Sequence, residues 1–327
     1  MSFQGYDLIG DVHGSARTLE RLLQQLGYSL VKGVYRHPRR QAVFIGDIVD
    51  RGPRIREALH LVRNMVLAGS AQMVIGNHEY NCLTYCTEVE VAGRHRYLRP
   101  HDPRHERQIR ETLEQFAPYP QEWQDFLQWF RELPLYLETP LFRAVHACWD
   151  GAIIERLKRE GVRDFSDDGF LRRSVERGTF EWQAADRLLR GTYLPLPNGE
   201  EMTSADGYRR RVFRTKFWAD EPQTHADVVF QPDPLPAHLA GVPLGPAEKA
   251  RLLHYGADQR PLFIGHYWRE GEPAPITPNI ACLDYSAVKY GKLVAYRMDG
   301  ESRLQPEHFV AVEVEPGDGV QDGDTVY

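Results

Sequence analysis

Short apolar runs recur along the chain at Tyr6–Ile9, Ala42–Ile45, Gln72–Ile75, Leu141–Val145 and Pro261–Gly265, each the length of a buried strand. Between the first three, apolar positions switch to helical spacing: Leu19, Leu22, Leu23 and Leu26, then Ile55, Ala58, Leu59 and Val62. Ser15 is the expected N-cap of the first helix and Gly27 its stop, and the second helix ends near Gly69. This βαβαβ order predicts a parallel sheet with right-handed crossovers. From Tyr80 to Leu133 the chain turns charge- and histidine-rich, with amphipathic stretches at Ile109/Leu113/Phe116 and Trp123/Phe126/Leu127/Phe130 that read as a helical insertion. Residues from about Gly151 to Tyr255 are irregular and proline-rich, so a second, loop-rich insertion is expected. The section Pro261 to Glu315 reads as consecutive strands, closing with Leu293–Met298, a turn at Asp299-Gly300 and Phe309–Val314. One domain over residues 1–315 is expected, with insertions at about 80–133 and 151–255 and a disordered acidic tail at 316–327.

The segments after these apolar runs are chemically alike. The first three runs lead into Gly10-Asp11-Val12-His13-Gly14, Gly46-Asp47-Ile48-Val49-Asp50-Arg51-Gly52 and Gly76-Asn77-His78-Glu79; the other two lead to His146 and His266. Such strand ends deliver side chains to the carboxyl edge of a sheet, where open α/β folds bind ligands. Asp11, His13 and Asp47 are placed to surround one metal ion. Asp47, Asn77, His146 and His266 are placed to surround a second, with the Asp47 carboxylate bridging the two. Carboxylate, imidazole and amide oxygen suit Mn²⁺, with Fe or Zn²⁺ as alternatives. A pair of divalent ions lowers the pKa of a bridging water and braces phosphate oxygens during in-line attack, so hydrolysis of a phosphoric ester is the expected reaction. Asp50 and His78 form a candidate carboxylate-oriented imidazole to protonate the leaving oxygen, and Arg51 a candidate phosphate clamp.

Composition narrows the partners. A net charge of -6 over 327 residues and a pI near 6.1 oppose a nuclease, which needs a broad basic groove. No apolar stretch approaches a membrane span, four cysteines make no disulfide framework, and the cytoplasm is the expected compartment. The first insertion is locally basic, with Arg94, Arg96, Arg99, Arg104 and Arg107 among His95, His101 and His105. A solvated helix face and a rim that focuses anionic substrates both fit this pattern.

The three motifs, in this order, resemble the signature motifs of the phosphoprotein phosphatase family of metallophosphoesterases, which includes Ser/Thr protein phosphatases and bacterial diadenosine tetraphosphatases. The resemblance spans the N-terminal third closely, then His146 and the region from Gly265 to Arg297 more loosely. It implies an α/β fold, a four-layer α/β/β/α sandwich with the two insertions added, and a dinuclear site in which the residues above take the roles given. It adds Arg214 and Tyr285 as candidate substrate contacts. Asp50, Arg51 and Glu79 keep the protein-phosphatase pattern and favour phosphomonoesters, phosphoprotein side chains included. The C-terminal segments Ile264-Gly-His-Tyr-Trp and Cys282-Leu-Asp-Tyr favour the alternative, a dinucleoside polyphosphate such as diadenosine tetraphosphate. A non-catalytic metal-binding scaffold for phosphorylated partners is the competing class. The departure is His146-Ala147-Cys148-Trp149, where the family has His-Gly-Gly or His-Ala-Gly.

Overall fold

The computed structural model describes residues 3–91, 93–203, 209–230, 235–287, 291–315 and 317–318. Its strands, in chain order, are β1 Gly5–Ile9, β2 Ser29–Val31, β3 Val34–Arg36, β4 Arg40–Phe44, β5 Ala71–Met73, β6 Glu88–Val91, β7 Arg94–Tyr97, β8 Tyr136–Glu138 and β9 Arg143–Val145. Then come β10 Thr192–Pro195, β11 Met202–Thr203, β12 Arg209–Arg210, β13 Val212–Thr215, β14 Leu262–Ile264, β15 Ile280–Cys282, β16 Asp284–Tyr285, β17 Lys292–Met298 and β18 Phe309–Glu313. The first eight helices are α1 Ala16–Gln25, α2 Ile55–Leu67, α3 Asn77–Cys86, α4 Pro103–Phe116, α5 Pro120–Glu132, α6 Gly151–Glu160, α7 Asp168–Arg173 and α8 Phe180–Arg190.

Two sheets carry the fold. One runs β16-β17-β1-β4-β5 with β18 added on β17; the other runs β15-β14-β9-β8. As the sequence predicts, β1, β4 and β5 are parallel, and the C-terminal strands close antiparallel, with Tyr6 opposite Met298 and Tyr296 opposite Phe309. The period-2 alternation of strand side chains sorts the core. Leu8, Val43, Ala144 and Phe263 point into one apolar cluster shared by both sheets. Their neighbours Ile9, Phe44, Val145 and Ile264 join the cluster packed under the helices. That is the α/β/β/α layering expected. Helix α1 buries Leu19, Leu22 and Leu23 completely, each worth about 1.5–3 kcal/mol of apolar burial.

Four expectations are corrected. Between α1 and β4 the chain makes an extra hairpin, β2–β3, turned at Lys32-Gly33 with both residues in left-handed backbone. The first insertion is not helical throughout: Glu88–Val91 alternates charged and apolar residues and pairs with β7 as a hairpin. The second insertion does not begin as loops but with α6, α7 and α8; the sets Ile153/Ile154/Leu157 and Ala184/Ala185/Leu188/Leu189 are buried at helical spacing. Finally, Ser15 does not cap α1 with its side chain. Asp318 does so: its carboxylate accepts from the Thr18 amide at 2.8 Å and the Thr18 hydroxyl at 3.0 Å, and Arg54 Nε donates to it at 3.1 Å. Asp318, expected in a disordered tail, is fully buried; residues 316 and 319–327 lie outside the described set. No described helix is long and apolar enough to cross a membrane.

Candidate active site

The turns after β1, β4 and β14 bend back sharply to bring their side chains together. Asp47, Asp50 and Arg51 after β4, His13 after β1 and His266 after β14 all hold left-handed backbone, with φ of 54°, 67°, 70°, 43° and 59°. For residues with a Cβ this conformation costs roughly 1–3 kcal/mol each and concentrates at functional sites. Glycines allow the turns to nest. A Cβ on Gly52 would fall 1.9 Å from the His13 carbonyl oxygen, and one on Gly76 would fall 2.2 Å from Asp47 Oδ1. Glu79 then ties the pieces: its buried carboxylate accepts from the amides of Gly76 (2.9 Å), Asp47 (2.9 Å), Ile48 (2.7 Å) and Val49 (3.3 Å). Glu79 therefore shapes the loop that presents Asp47.

Asp47 is the hub. The Nε2 atoms of His146, His13 and His78 lie 3.3, 3.7 and 3.9 Å from its Oδ2. Asp11, Asp47 and His146 form one buried group spaced to hold a metal ion; His13, Asp47 and His78 form another. Asp47 is thus common to both. The partition differs from the sequence expectation, because Asp11 faces His146 and His13 is turned toward His78. His13 Nδ1 donates to the Val49 carbonyl (2.8 Å) and His146 Nδ1 to the Ile45 carbonyl (2.7 Å), which aims both Nε2 atoms inward. Asn77 Oδ1 accepts from His146 Nε2 (3.0 Å) and His266 Nδ1 (2.7 Å). The His266 amide donates to Asp11 Oδ2 at 3.3 Å. All six expected ligands are brought together.

The electrostatics fit a site built for cations. Burial, then the nearby Asp284 charge, pushes the Asp11 carboxyl well above its usual range. Burial, then Arg51, holds His13 well below, and burial, then Arg214, does the same to His266. His146 goes the other way: burial opposes its charge, but the Asp47 carboxylate wins and raises it to about 10. Burial opposes the charge of Asp47 too, yet His146 and His78 outweigh it and hold the carboxyl well below its normal value. Asp11 Oδ1 and His266 Nε2 are buried without a hydrogen-bond partner. Orphaned ligand atoms of this kind call for a partner beyond the protein, and a cation satisfies both.

Beside the hub stands the expected acid. His78 Nδ1 donates to Asp50 Oδ2 at 2.6 Å. Arg51 reaches across the mouth, with Nη2 3.1 Å from His78 Nε2 and Nη1 3.3 Å from His13 Nε2. Asp50 Oδ1 is held by the Thr112 hydroxyl of α4 and, at 3.6 Å, by the Cys82 thiol. Arg214 lies at the rim, its Nη1 3.4 Å from the His266 carbonyl oxygen. Tyr285 is not brought to these residues: its hydroxyl accepts from the Ala274 amide (3.1 Å) and its ring packs in the inter-sheet cluster. Thr112, which holds Asp50, carries no mark as a site residue in the sequence, because it follows no apolar run and glycine turn.

A family model described as calcineurin-like phosphoesterase matches residues 7–266. Among curated proteins, the chain is similar to the bis(5'-nucleosyl)-tetraphosphatase PrpE (asymmetrical) of Halalkalibacterium halodurans, 41% identical over 91 residues, or 28% of this chain and 37% of that protein. The protein of the same name from Oceanobacillus iheyensis is 48% identical over 73 residues, or 22% of this chain and 29% of its own length. The similarity therefore covers well under two thirds of either relative. Among solved structures, a serine/threonine phosphatase from Saccharomyces cerevisiae with similarity to human phosphatase PP5 matches with a TM-score of 0.50 at 15% identity. That match covers 95% of this chain and 80% of the other and is a likeness of fold.

Proposed function

This chain belongs to the calcineurin-like phosphoesterase family, and we propose that it hydrolyses phosphoric esters at the cluster around Asp47. One observation carries this: two buried groups of metal-binding side chains share the Asp47 carboxylate, and His78, a member of one, is held by Asp50 at 2.6 Å. Asp11, His13, Asp47, Asn77, His146 and His266 would hold two divalent ions, Mn²⁺ being the expected metal, which when bound supply an acidified water and charge to brace phosphate oxygens. With Nδ1 held on Asp50, a His78 protonated on both ring nitrogens gives its Nε2 proton to the departing oxygen. Arg51, whose fork already spans His13 and His78, grips the phosphate oxygens. The two inserted segments belong to the same domain and reach the site, Thr112 of the first holding Asp50 and Arg214 of the second lying beside His266.

For the substrate, the retained Asp50, Arg51 and Glu79 support phosphomonoesters. The dinucleoside tetraphosphatase relatives support a second class, nucleotides joined through a phosphate chain. The test is Mn²⁺-dependent hydrolysis of para-nitrophenyl phosphate, a phosphoserine peptide and diadenosine tetraphosphate by the full chain. Turnover of any of them upholds the hydrolase and their ranking picks the class. Metal binding with no turnover would leave a phosphate-recognition scaffold instead.

A further inference from the structure

Two arginines from different insertions meet on one neutral atom. Arg99 Nη1 and Arg190 Nη2 donate to Asn81 Oδ1 at 2.6 and 2.7 Å. Arg99 comes from the segment after β7; Arg190 is the last residue of α8. The second partner of Arg99 is also neutral, Gln108 Oε1 at 2.8 Å, and its Nε is buried with no partner. The carboxylate beside Arg190 is Asp186, 3.8 Å away on the same helix. Among the described residues, two guanidiniums against one carboxylate leave an excess of one positive charge in a largely desolvated place. Burial, then the Arg190 charge, lowers Arg99 to about 10. Buried charge without a full counter-ion is costly, and an arriving anion relieves that cost.

The position of this pair matters as much as its charge. Asn81 sits four residues after Asn77 on α3, so their Cβ atoms lie about 5–6 Å apart on one helix face. Asn77 Oδ1 is the atom on which His146 and His266 converge. Arg190 and Arg214 both act electrostatically on His266, so the charge of the Asn81 pair reaches the cluster. The Arg190 side chain keeps 28% of its surface exposed, which gives a ligand access from solvent, and its guanidinium lies over the Tyr80 ring.

We infer that Arg99, Arg190 and Asn81 form an anion subsite that binds the non-reacting phosphates of an oligophosphate chain whose terminal or cleaved phosphate lies at the Asp47 cluster. This rests on the hydrolase proposed above and narrows its substrate to molecules with at least two phosphates. A phosphomonoester would leave the subsite empty. An oligophosphate would place one phosphate by Arg51 and the next within reach of the two guanidiniums.

The test uses inorganic tripolyphosphate as the probe and the full chain freed of metal by a chelator, read by titration calorimetry at physiological salt. Arg190→Gln is expected to weaken tripolyphosphate binding about tenfold or more, the scale of a lost charge-assisted hydrogen bond. Arg156→Gln makes the same charge change on the exposed side of α6 and is expected to alter binding by no more than about twofold. Unchanged binding in Arg190→Gln, or equal weakening in both variants, overturns the subsite. With Mn²⁺ restored, Arg190→Gln is expected to raise the KM for diadenosine tetraphosphate, and an unchanged KM also overturns it. The two proposals fail separately. A wild-type chain that cleaves no ester yet binds tripolyphosphate through Arg190 keeps the subsite and loses the hydrolase. One that cleaves para-nitrophenyl phosphate but binds tripolyphosphate without Arg190 does the reverse.

Discussion

The Thr112 hydroxyl holds Asp50 at two points, accepting from its backbone amide at 3.0 Å and donating to its carboxylate Oδ1. With Cys82 on the same oxygen and His78 on the other, both oxygens of a fully buried carboxylate are engaged. Thr112 is therefore a positioning residue: it acts through Asp50 on His78. Thr112→Val keeps the shape and removes the hydroxyl, leaving a buried amide and a carboxylate oxygen short of a partner at about 1–3 kcal/mol. We expect a lower Tm and a fall in kcat of about ten- to a hundredfold if that loss is felt in the transition state. The KM for para-nitrophenyl phosphate should barely move. A variant that melts earlier but keeps kcat and its pH profile would make Thr112 purely structural.

Replacing the acid itself should be more severe. Asp50→Asn or His78→Asn is expected to cut turnover by about 10²–10⁴-fold, the usual scale for a general acid, with both ions still bound. Metal content by elemental analysis and steady-state kinetics decide it. Wild-type turnover in either variant would remove these residues from the chemistry.

Metal loading should release protons. In the metal-free chain, against the effect of burial, Asp47 raises His146 from 6.5 to about 10. The stability that this pair gives is fully present below pH 6.5 and is lost as pH rises through about 10. A cation competes for the same lone pair, so apparent metal affinity should climb with pH across that interval. Mn²⁺ titrations at pH 7 in two buffers of different ionisation enthalpy read the protons directly. Identical heats in both buffers would contradict a protonated His146.

Asp318 should matter to stability well beyond its place in the sequence. It supplies the cap of α1 and a partner to Arg54. Asp318→Ala is expected to cost about 0.5–2 kcal/mol, as loss of a helix cap does. Urea unfolding measures it, and an unchanged midpoint would show that Thr18 finds another acceptor.

The expected metal ligands are legible because each comes after a buried strand, and all but His146 after a glycine as well, a local pattern with one chemical reading. Even their strained backbone is foreshadowed by the glycines beside them. Residues that complete the site carry no such mark. Thr112 lies 62 positions from Asp50 and Arg190 lies 109 from Asn81, and only packing joins them. A threonine inside an amphipathic helix looks like any other until its neighbour is known. The helices α6–α8 are hidden for a plainer reason: although α6 and α8 are as long as α1, the prolines after them colour the whole segment. Glu79 reads in the sequence as a branch marker, yet it is the clamp that orders the Asp47 loop.

The cap that Asp318 gives to α1 joins residues 300 positions apart, and β1, which leads to Asp11, pairs with β17 at the other end of the chain. At ribosomal speed of about 5–20 residues per second, the helix beside His13 leaves the exit tunnel long before its cap exists. One edge of β1 also stays unpaired over that time, an open template for misassembly. The order of synthesis thus sets a waiting period in which the first motif is exposed. Folding of this half of the site is tied to the arrival of the C-terminal strands.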